Sequence, residues 1–342
     1  MCSGRPDRAT RLVADIGGTN ARFALAGAPG AAPSHIRVLP CADFAGPEQA
    51  VRAYLAAEGV SLPRVAAFGI ANPVTGDCVA MTNHHWAFSV DGLRATLGLE
   101  RLLLINDFTA LALSLPHLTG AELEQVGAGV ALPGQAIALL GAGTGLGISG
   151  LVPAGDALVP LQGEGGHVTL PAGTPREANL IALLAERYGH VSAERVLSGP
   201  GLVALHDALR HLDGRPGLEL DSATISSRGL TGQCPVCTET LHLFCALLGT
   251  VAGDLALTLG ARGGVFVGGG IVPRLGEFFA RSAFRERFIA KGRFRGYLEK
   301  IPTRVIRAPY AALTGAAHAL DTAFAVGFDS RAQQGASTIP FA

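Results

Sequence analysis

The chain has 342 residues, more than twice the roughly 100–150 residues of a common domain, which predicts two domains. Lys+Arg and Asp+Glu both number 27, and only 16% of residues are charged, against about 25% in an average protein. That balance argues against a nucleic-acid binder with a basic face, and 49% apolar residues argue against a disordered chain.

The 46 glycines are near twice the usual share, the mark of a backbone that turns tightly and approaches something closely. Six cysteines are sparse for this length, and the opening MCSGRPDRAT carries no apolar signal core. No uninterrupted apolar run reaches the ~18 residues of a membrane span. These features predict a cytoplasmic protein with free thiols and no membrane partner.

In chain order, residues 11–16 (RLVADI) form an apolar run ending in Gly17-Gly18-Thr19-Asn20, and 22–26 resume the apolar character. This reads as a strand, a glycine turn and a second strand. Residues 47–58 have helical spacing, and 65–71 (VAAFGIA) form a buried strand broken by Asn72-Pro73. Residues 102–105 (LLLI) are another strand, ending at Asn106-Asp107, and 108–115 look helical before Pro116. A second strand, 136–140 (AIALL), runs into Gly141-Ala142-Gly143-Thr144-Gly145-Leu146-Gly147. A Pro/Gly-rich stretch then leads to Gly163-Glu164-Gly165-Gly166-His167.

Thr174-Pro175-Arg176-Glu177 predicts a helix start, with Thr174 as cap, Pro175 in the first turn and Glu177 completing a capping box. Leu180, Ile181, Leu184 and Tyr188 give that helix its apolar face, and Gly189 ends it. Residues 239–259 form a long helical pattern, 264–270 (GVFVGGG) a third strand-and-glycine unit, and 311–326 a closing helix before a polar tail expected to fray. The class is α/β, with three glycine loops each directly after a strand.

Glycine after a buried strand lets backbone N–H groups converge on an anion. Gly145-Leu146-Gly147-Ile148-Ser149-Gly150 matches a dinucleotide fingerprint, but Pro153, Gly155 and Pro160 forbid the helix that motif must open. A Walker loop is absent from the sequence. Cys234-x2-Cys237-x4-His242-x2-Cys245 has the look of a zinc set, yet His242 and Cys245 fall inside an apolar helical pattern, so no zinc is expected. Asp107 sits at the end of an apolar strand, where ligands bind in open α/β sheets, with Asn106 beside it as donor and acceptor. A plain Asn-Asp helix cap is the competing reading. Glu164 and His167 lie in a glycine-rich segment, either as solvated loop residues or as ligands for several hydroxyls. Glu194, before another glycine turn, reads alone as a surface salt-bridge residue or with them as a further ligand. Nucleotide loops together with a hydroxyl-binding set and a base are the two halves of a kinase reaction.

The segments ADIGGTNAR (14–22), MTNHHWAF (81–88), INDFTA (105–110), GAGTGLG (141–147), GEGGHV (163–168), HVSAERVLSGPGL (190–202) and GGVFVGGGIVPR (263–274) resemble bacterial ATP-dependent glucokinases. The resemblance runs in order from about residue 12 to 320. It implies an actin-like (ribonuclease H-like), two-domain hexokinase-type fold with a central cleft, usually as a homodimer. The boundaries it implies are a small domain of residues 1–117 plus 308–342 and a large domain of 118–307.

The implied activity is an ATP-dependent hexose 6-phosphotransferase of glycolysis that uses Mg²⁺ and converts D-glucose and ATP to glucose 6-phosphate and ADP. Asp107 would be the base, and Asn106, Glu164, His167 and Glu194 would hold the other sugar hydroxyls. Ala14, Asp15, Ile16, Gly17, Gly18 and Thr19 would form the first phosphate loop, with Asp15 near Mg²⁺. Gly143, Thr144 and Gly145 would form the second, and Gly269, within the turn Gly268-Gly269-Gly270, would lie near the adenosine. The departures are a longer N-terminal lead and a polar tail, and the cysteine-rich zinc motif of the related repressor–kinase group is lacking. The rivals are a kinase of another hexose and a non-catalytic actin-like sugar or nucleotide sensor.

Overall fold

The computed structural model describes residues 10–326 except 83, 216 and 218. Its contacts divide the chain into two compact units, Met1–Leu118 with Pro309–Ala342, and Thr119–Ala308.

The first unit opens with β1 (Arg11–Ile16), β2 (Asn20–Ala26) and β3 (Ser34–Pro40), followed by α1 (Pro47–Glu58) and β4 (Val65–Ile70). A small pair, β5 (Cys78–Ala80) and β6 (Ala87–Ser89), leads into α2 (Val90–Leu97), β7 (Arg101–Asn106) and α3 (Asp107–Ser114). The five-stranded sheet has the order β3-β2-β1-β4-β7. Strands β1, β4 and β7 are parallel, β2 returns antiparallel to β1 through the predicted glycine turn, and β3 pairs antiparallel with β2.

Side chains alternate across β1, as the two-residue period requires. Leu12, Ala14 and Ile16 join one core with Phe23, Tyr54, Phe68 and Trp86, while Val13 faces the other side. Trp86 is 1% exposed, and its Nε1 donates to Phe44 O at 3.0 Å. Burying an aromatic residue of this size stabilises the unit by roughly 1.5–3 kcal/mol.

The second unit contains β8 (Leu123–Val126), β9 (Ile137–Ala142), β10 (Leu146–Ala154) and β11 (Ala157–Gln162). Helices α4 (Pro175–Tyr188), α5 (Gly199–Leu212), α6 (Ser222–Leu230) and α7 (Pro235–Leu259) precede β12 (Gly264–Gly268). Short helices α8 (Val272–Leu275), α9 (Glu277–Arg281), α10 (Phe284–Ile289) and α11 (Arg295–Glu299) lead to β13 (Thr303–Ile306). The six-stranded sheet has the order β11-β10-β9-β12-β13-β8, with β9, β12 and β13 parallel.

The false dinucleotide motif is the strand β10, not a helix start. Pro153 is tolerated there because pairing with β9 stops at Leu151, so no ladder bond to β9 is asked of its missing N–H. Helix α7 is long and apolar enough to cross a membrane by length and composition, but 72% of its most apolar window is buried within the fold.

Two local expectations change. Helix α7 starts at Pro235 rather than 239, because the Cys234 sulfur caps it by accepting from Cys237 N. At α4, Thr174 caps as expected, but the Glu177 carboxylate turns to Gly173 N at 2.6 Å and to Arg287 at 2.6 and 2.9 Å. A carboxylate only 1% exposed needs a full set of partners, and the bidentate guanidinium outcompetes a reciprocal box.

The last element, α12 (Ala311–Val326), belongs to the first unit and closes the second face of its sheet. Leu313, Ala316, Ala317 and Leu320 cover Val13, Ala24, Ala26 and Ala67, and Arg11 pairs with Asp321. It also crosses α3 backbone to backbone: a Cβ on Gly315 would fall 1.6 Å from Ala110 O, so only glycine fits. The predicted frayed tail beyond 326 lies outside the described residues.

Candidate active site

In the first unit the parallel register aligns Ile16 with Ile70, and Ile70 with Asn106, so three strands end side by side. That carboxyl edge is where open α/β sheets take ligands. The loop after β1 is held by Gly17 N donating to Asn20 O at 3.0 Å and by Cys41 N donating to Thr19 O at 2.9 Å. Asp15 is 18% exposed, and Arg22 Nη1 lies 3.0 Å from its Oδ2. Burial pushes the Asp15 carboxyl above the usual carboxylate range, and the Arg22 charge and hydrogen bond only partly offset it. Arg22 was missed from sequence, although the hairpin register places it directly opposite Asp15.

Asn106 and Asp107 both turn to the first N–H groups of α3. Asn106 is the N-cap of α3, and its Oδ1 accepts from Phe108 N at 2.9 Å and Thr109 N at 3.2 Å. Its amide Nδ2 points to Asn72 O at 3.5 Å. Asp107 is the first residue of the helix, half-buried, and its Oδ1 accepts from Phe108 N at 2.9 Å. Asn72 was not singled out from sequence. Its side chain accepts from Thr82 Oγ1 at 2.7 Å and donates to Ala80 O at 3.2 Å, tying the loop after β4 to the segment beside β5.

In the second unit, Glu164, His167 and Glu194 meet. His167 Nε2 is 3.8 Å from Glu164 Oε2, and its Nδ1 is 4.0 Å from Glu194 Oε1. Their side chains are 59%, 58% and 33% exposed. The other Glu194 oxygen accepts from Leu146 N at 2.9 Å, which ties this group to the loop containing Gly143, Thr144 and Gly145. Gly143 N donates to Gly145 O and Gly199 N donates to Gly143 O, both at 2.8 Å.

Gly199 is the first residue of α5, capped by Ser198, so the positive end of a 14-residue helix lies at the glycine loop. Ser198-Gly199-Pro200-Gly201 carried that signal in the sequence, as a cap followed by a first-turn proline. Gly269 has a packing reason of its own: its φ is +79°, and a Cβ there would lie 2.3 Å from Ala142 O. The loops after β9 and β12 are therefore in backbone contact.

The cysteine-histidine spacing does not converge. His242 is exposed and lies against the Phe278 ring at 4.7 Å, while Cys237 and Cys245 are buried. Among the described residues no group of three or more His, Cys, Asp or Glu side chains is placed to hold a metal ion.

The first unit thus presents carboxylates and amides beside a glycine loop, and the second presents carboxylates and an imidazole beside another, groups suited to hydroxyls and phosphates. The Glucokinase family profile matches residues 12–323. A glucokinase of Aromatoleum aromaticum is 61% identical over 326 residues, covering 95% of this chain and 98% of that one. The crystal structure of a glucokinase from an Antarctic psychrotroph is 39% identical, with a TM-score of 0.83 over 92% of this chain and 99% of its own. A ROK family glucokinase from Streptomyces griseus, in complex with glucose and AMPPNP, shares the fold at 19% identity, with a TM-score of 0.60 over 90% of this chain and 98% of its own. The strand-end Asn-Asp, the Glu-His-Glu group and the glycine loops fall inside the matched span, and the chain belongs to the glucokinase family.

Proposed function

We propose that the protein transfers the γ-phosphoryl group of ATP to the 6-hydroxyl of D-glucose, giving glucose 6-phosphate and ADP. The observation that supports the finer assignment is the place of Asp107 at the carboxyl end of β7, the ligand edge of the parallel strands, directly after Asn106, the N-cap of α3. Asp107 takes the proton as the 6-oxygen attacks the γ-phosphorus in line. The Asn106 amide, Glu164, His167 and Glu194 hold the remaining hydroxyls. The segment from Ala14 to Thr19 and the loop Gly143, Thr144 and Gly145, with the α5 N-terminus, receive the phosphates, and Gly269 lines the adenosine side.

Magnesium binds nucleotides through phosphate oxygens and water with one or two carboxylates. Asp15, a carboxylate with one oxygen on Arg22, fits an ion that arrives with the nucleotide and reaches the side chain through water. When bound, Mg²⁺ supplies neutralisation of the charge on the transferring phosphates. The central cleft of the hexokinase-type fold is part of this proposal, since a sugar with ligands in both units favours a closed state. Saturating glucose then lowers the radius of gyration in small-angle scattering, and an unchanged value removes the cleft from the reading. A homodimer, tested by sedimentation, and a cytoplasmic role at the start of glycolysis complete it.

The deciding experiment is a coupled assay with a panel of hexoses and phosphoryl donors. The expected result is the highest kcat/KM with D-glucose and ATP, because a polar site discriminates strongly against a misplaced hydroxyl. Faster turnover of another hexose replaces glucose in the proposal. ATP binding without turnover of any sugar favours a sensor.

A further inference from the structure

The kinase reading leaves one cluster of nucleophiles unused. Cys234-Pro235-Val236-Cys237 stands at the start of the 25-residue helix α7, with Cys234 as the N-cap and Pro235 setting the first turn. The Cys234 sulfur is partly exposed and accepts from Cys237 N at 3.4 Å, and Cys237 is buried directly behind it. Two cysteines separated by two residues across the first turn of a helix form the arrangement that dithiol redox sites use. The outer cysteine is partly exposed and the inner one is buried.

We propose that Cys234 and Cys237 form a reversible dithiol–disulfide site whose substrates are hydroperoxides, with Cys234 as the attacking sulfur and Cys237 as the resolving one. The surroundings agree with that order. Burial raises the Cys234 thiol, but the Cys237 thiol, the N–H groups of Cys237 and Val236 and the charge of Arg228 outweigh it and hold the group below the ordinary thiol range. Cys237 moves the other way, raised by burial, by its hydrogen bond to Cys234 and by the Cys234 charge, against weaker opposition from Arg228 on α6 and Arg210 on α5.

In the first step the Cys234 thiolate attacks hydrogen peroxide. A sulfur–oxygen bond forms, the O–O bond breaks, and hydroxide leaves and is protonated to water. Cys234 is oxidised by two electrons to a sulfenic acid and the peroxide is reduced. In the second step the Cys237 sulfur attacks the Cys234 sulfur. The S–S bond forms, the S–O bond breaks, and the hydroxyl leaves as water with the Cys237 proton. Two thiols and one peroxide become one disulfide and two waters, and a dithiol reductant reverses the change.

The test treats the reduced full-length protein with hydrogen peroxide and maps its tryptic peptides by mass spectrometry. The expected result is loss of two hydrogens from the peptide spanning 229–262, located by fragmentation to 234–237 and restored by dithiothreitol. Cys234→Ser keeps a capping oxygen and abolishes the change. Cys237→Ser stops at a sulfenic acid on Cys234 that dimedone traps, and Cys237→Ala serves if the serine disturbs the core. Iodoacetamide at neutral pH labels Cys234 severalfold faster than the exposed Cys78. Labelling of Cys78 with Cys234 silent, a stable sulfenic acid in the wild type, or a disulfide through the buried Cys245 in the same peptide would each overturn the proposal.

Discussion

The two units carry their polar site groups in opposite ways. In the first, Asn106 and Asp107 are built into the end of a strand and the first turn of a helix, and Asp15 is held by Arg22. In the second, Glu164 and His167 stand on an exposed single turn, more than half accessible and 3.8 Å apart. Under the proposed roles, Asp107 must be fixed to a fraction of an ångström to move a proton, whereas Glu164 and His167 can be ordered by the sugar they would recognise. The contrast predicts that stability and turnover are entangled in the first unit and separable in the second.

Asp107→Asn gives the largest expected effect on this comparison. Turnover falls by roughly 10²–10⁴-fold while glucose affinity by calorimetry changes far less, because the amide still meets the hydroxyl. The melting temperature stays near wild type because Asn106 is the cap. Turnover within a few-fold of wild type removes the base assignment.

Arg287→Met comes next. It strands the buried Glu177 carboxylate and costs about 3–5 kcal/mol in denaturant unfolding. A smaller loss would mean that the helix layer of the second unit relaxes around the charge. Glu164→Ala should raise KM for glucose roughly 10–100-fold, the worth of one charge-assisted hydrogen bond, with no change in melting temperature. A large thermal shift there would erase the contrast between the units.

Position 106 gives a smaller and sharper test. Asn106→Ala loses the cap of α3, at about 1 kcal/mol of stability, and glucose affinity with it. Asn106→Asp keeps the cap and the melting temperature but loses the amide donor, so affinity alone falls.

Acid titration offers the mildest test. Burial raises the Glu177 carboxyl, but Arg287 and the N–H groups of Gly173 and Thr174 outweigh that and hold it below its ordinary value of 4.5. Its contribution is therefore complete above that value and is lost as pH falls through the lower folded pKa. Glu177→Gln should flatten the acid limb of a stability–pH curve, and an unaltered limb would assign acid unfolding to other groups.

Much of this was legible in the sequence. Strands β1, β4, β7, β9 and β12 are short apolar runs, each closed by glycine or Asn, and α1 and α12 match their periodicity residue for residue. Strands β10 and β11 were hidden because Pro153 and Pro160 read as breakers, and only their place near the sheet edge makes them tolerable. Pairing across distance was equally hidden. Nothing near Glu177 announces Arg287, 110 residues away, and Asn72 reaches Asn106 only through the alignment of β4 with β7. For the site, residue types and turns were visible, whereas which of the two residues caps α3 needed the backbone.

The place of α12 also has a consequence for biosynthesis. Its side chains complete one face of the first sheet, and Gly315 seats it against the helix that Asp107 begins. The ribosome delivers that sheet early and withholds its cover until 119–308 have been made, a delay of roughly 10–40 s at 5–20 residues per second. During that interval the nascent first unit carries Val13, Ala24 and Ala67 uncovered, while the second unit is already contiguous and able to fold. A truncated chain ending before 311 would keep every polar residue of the candidate site and still lack the support behind its Asp107.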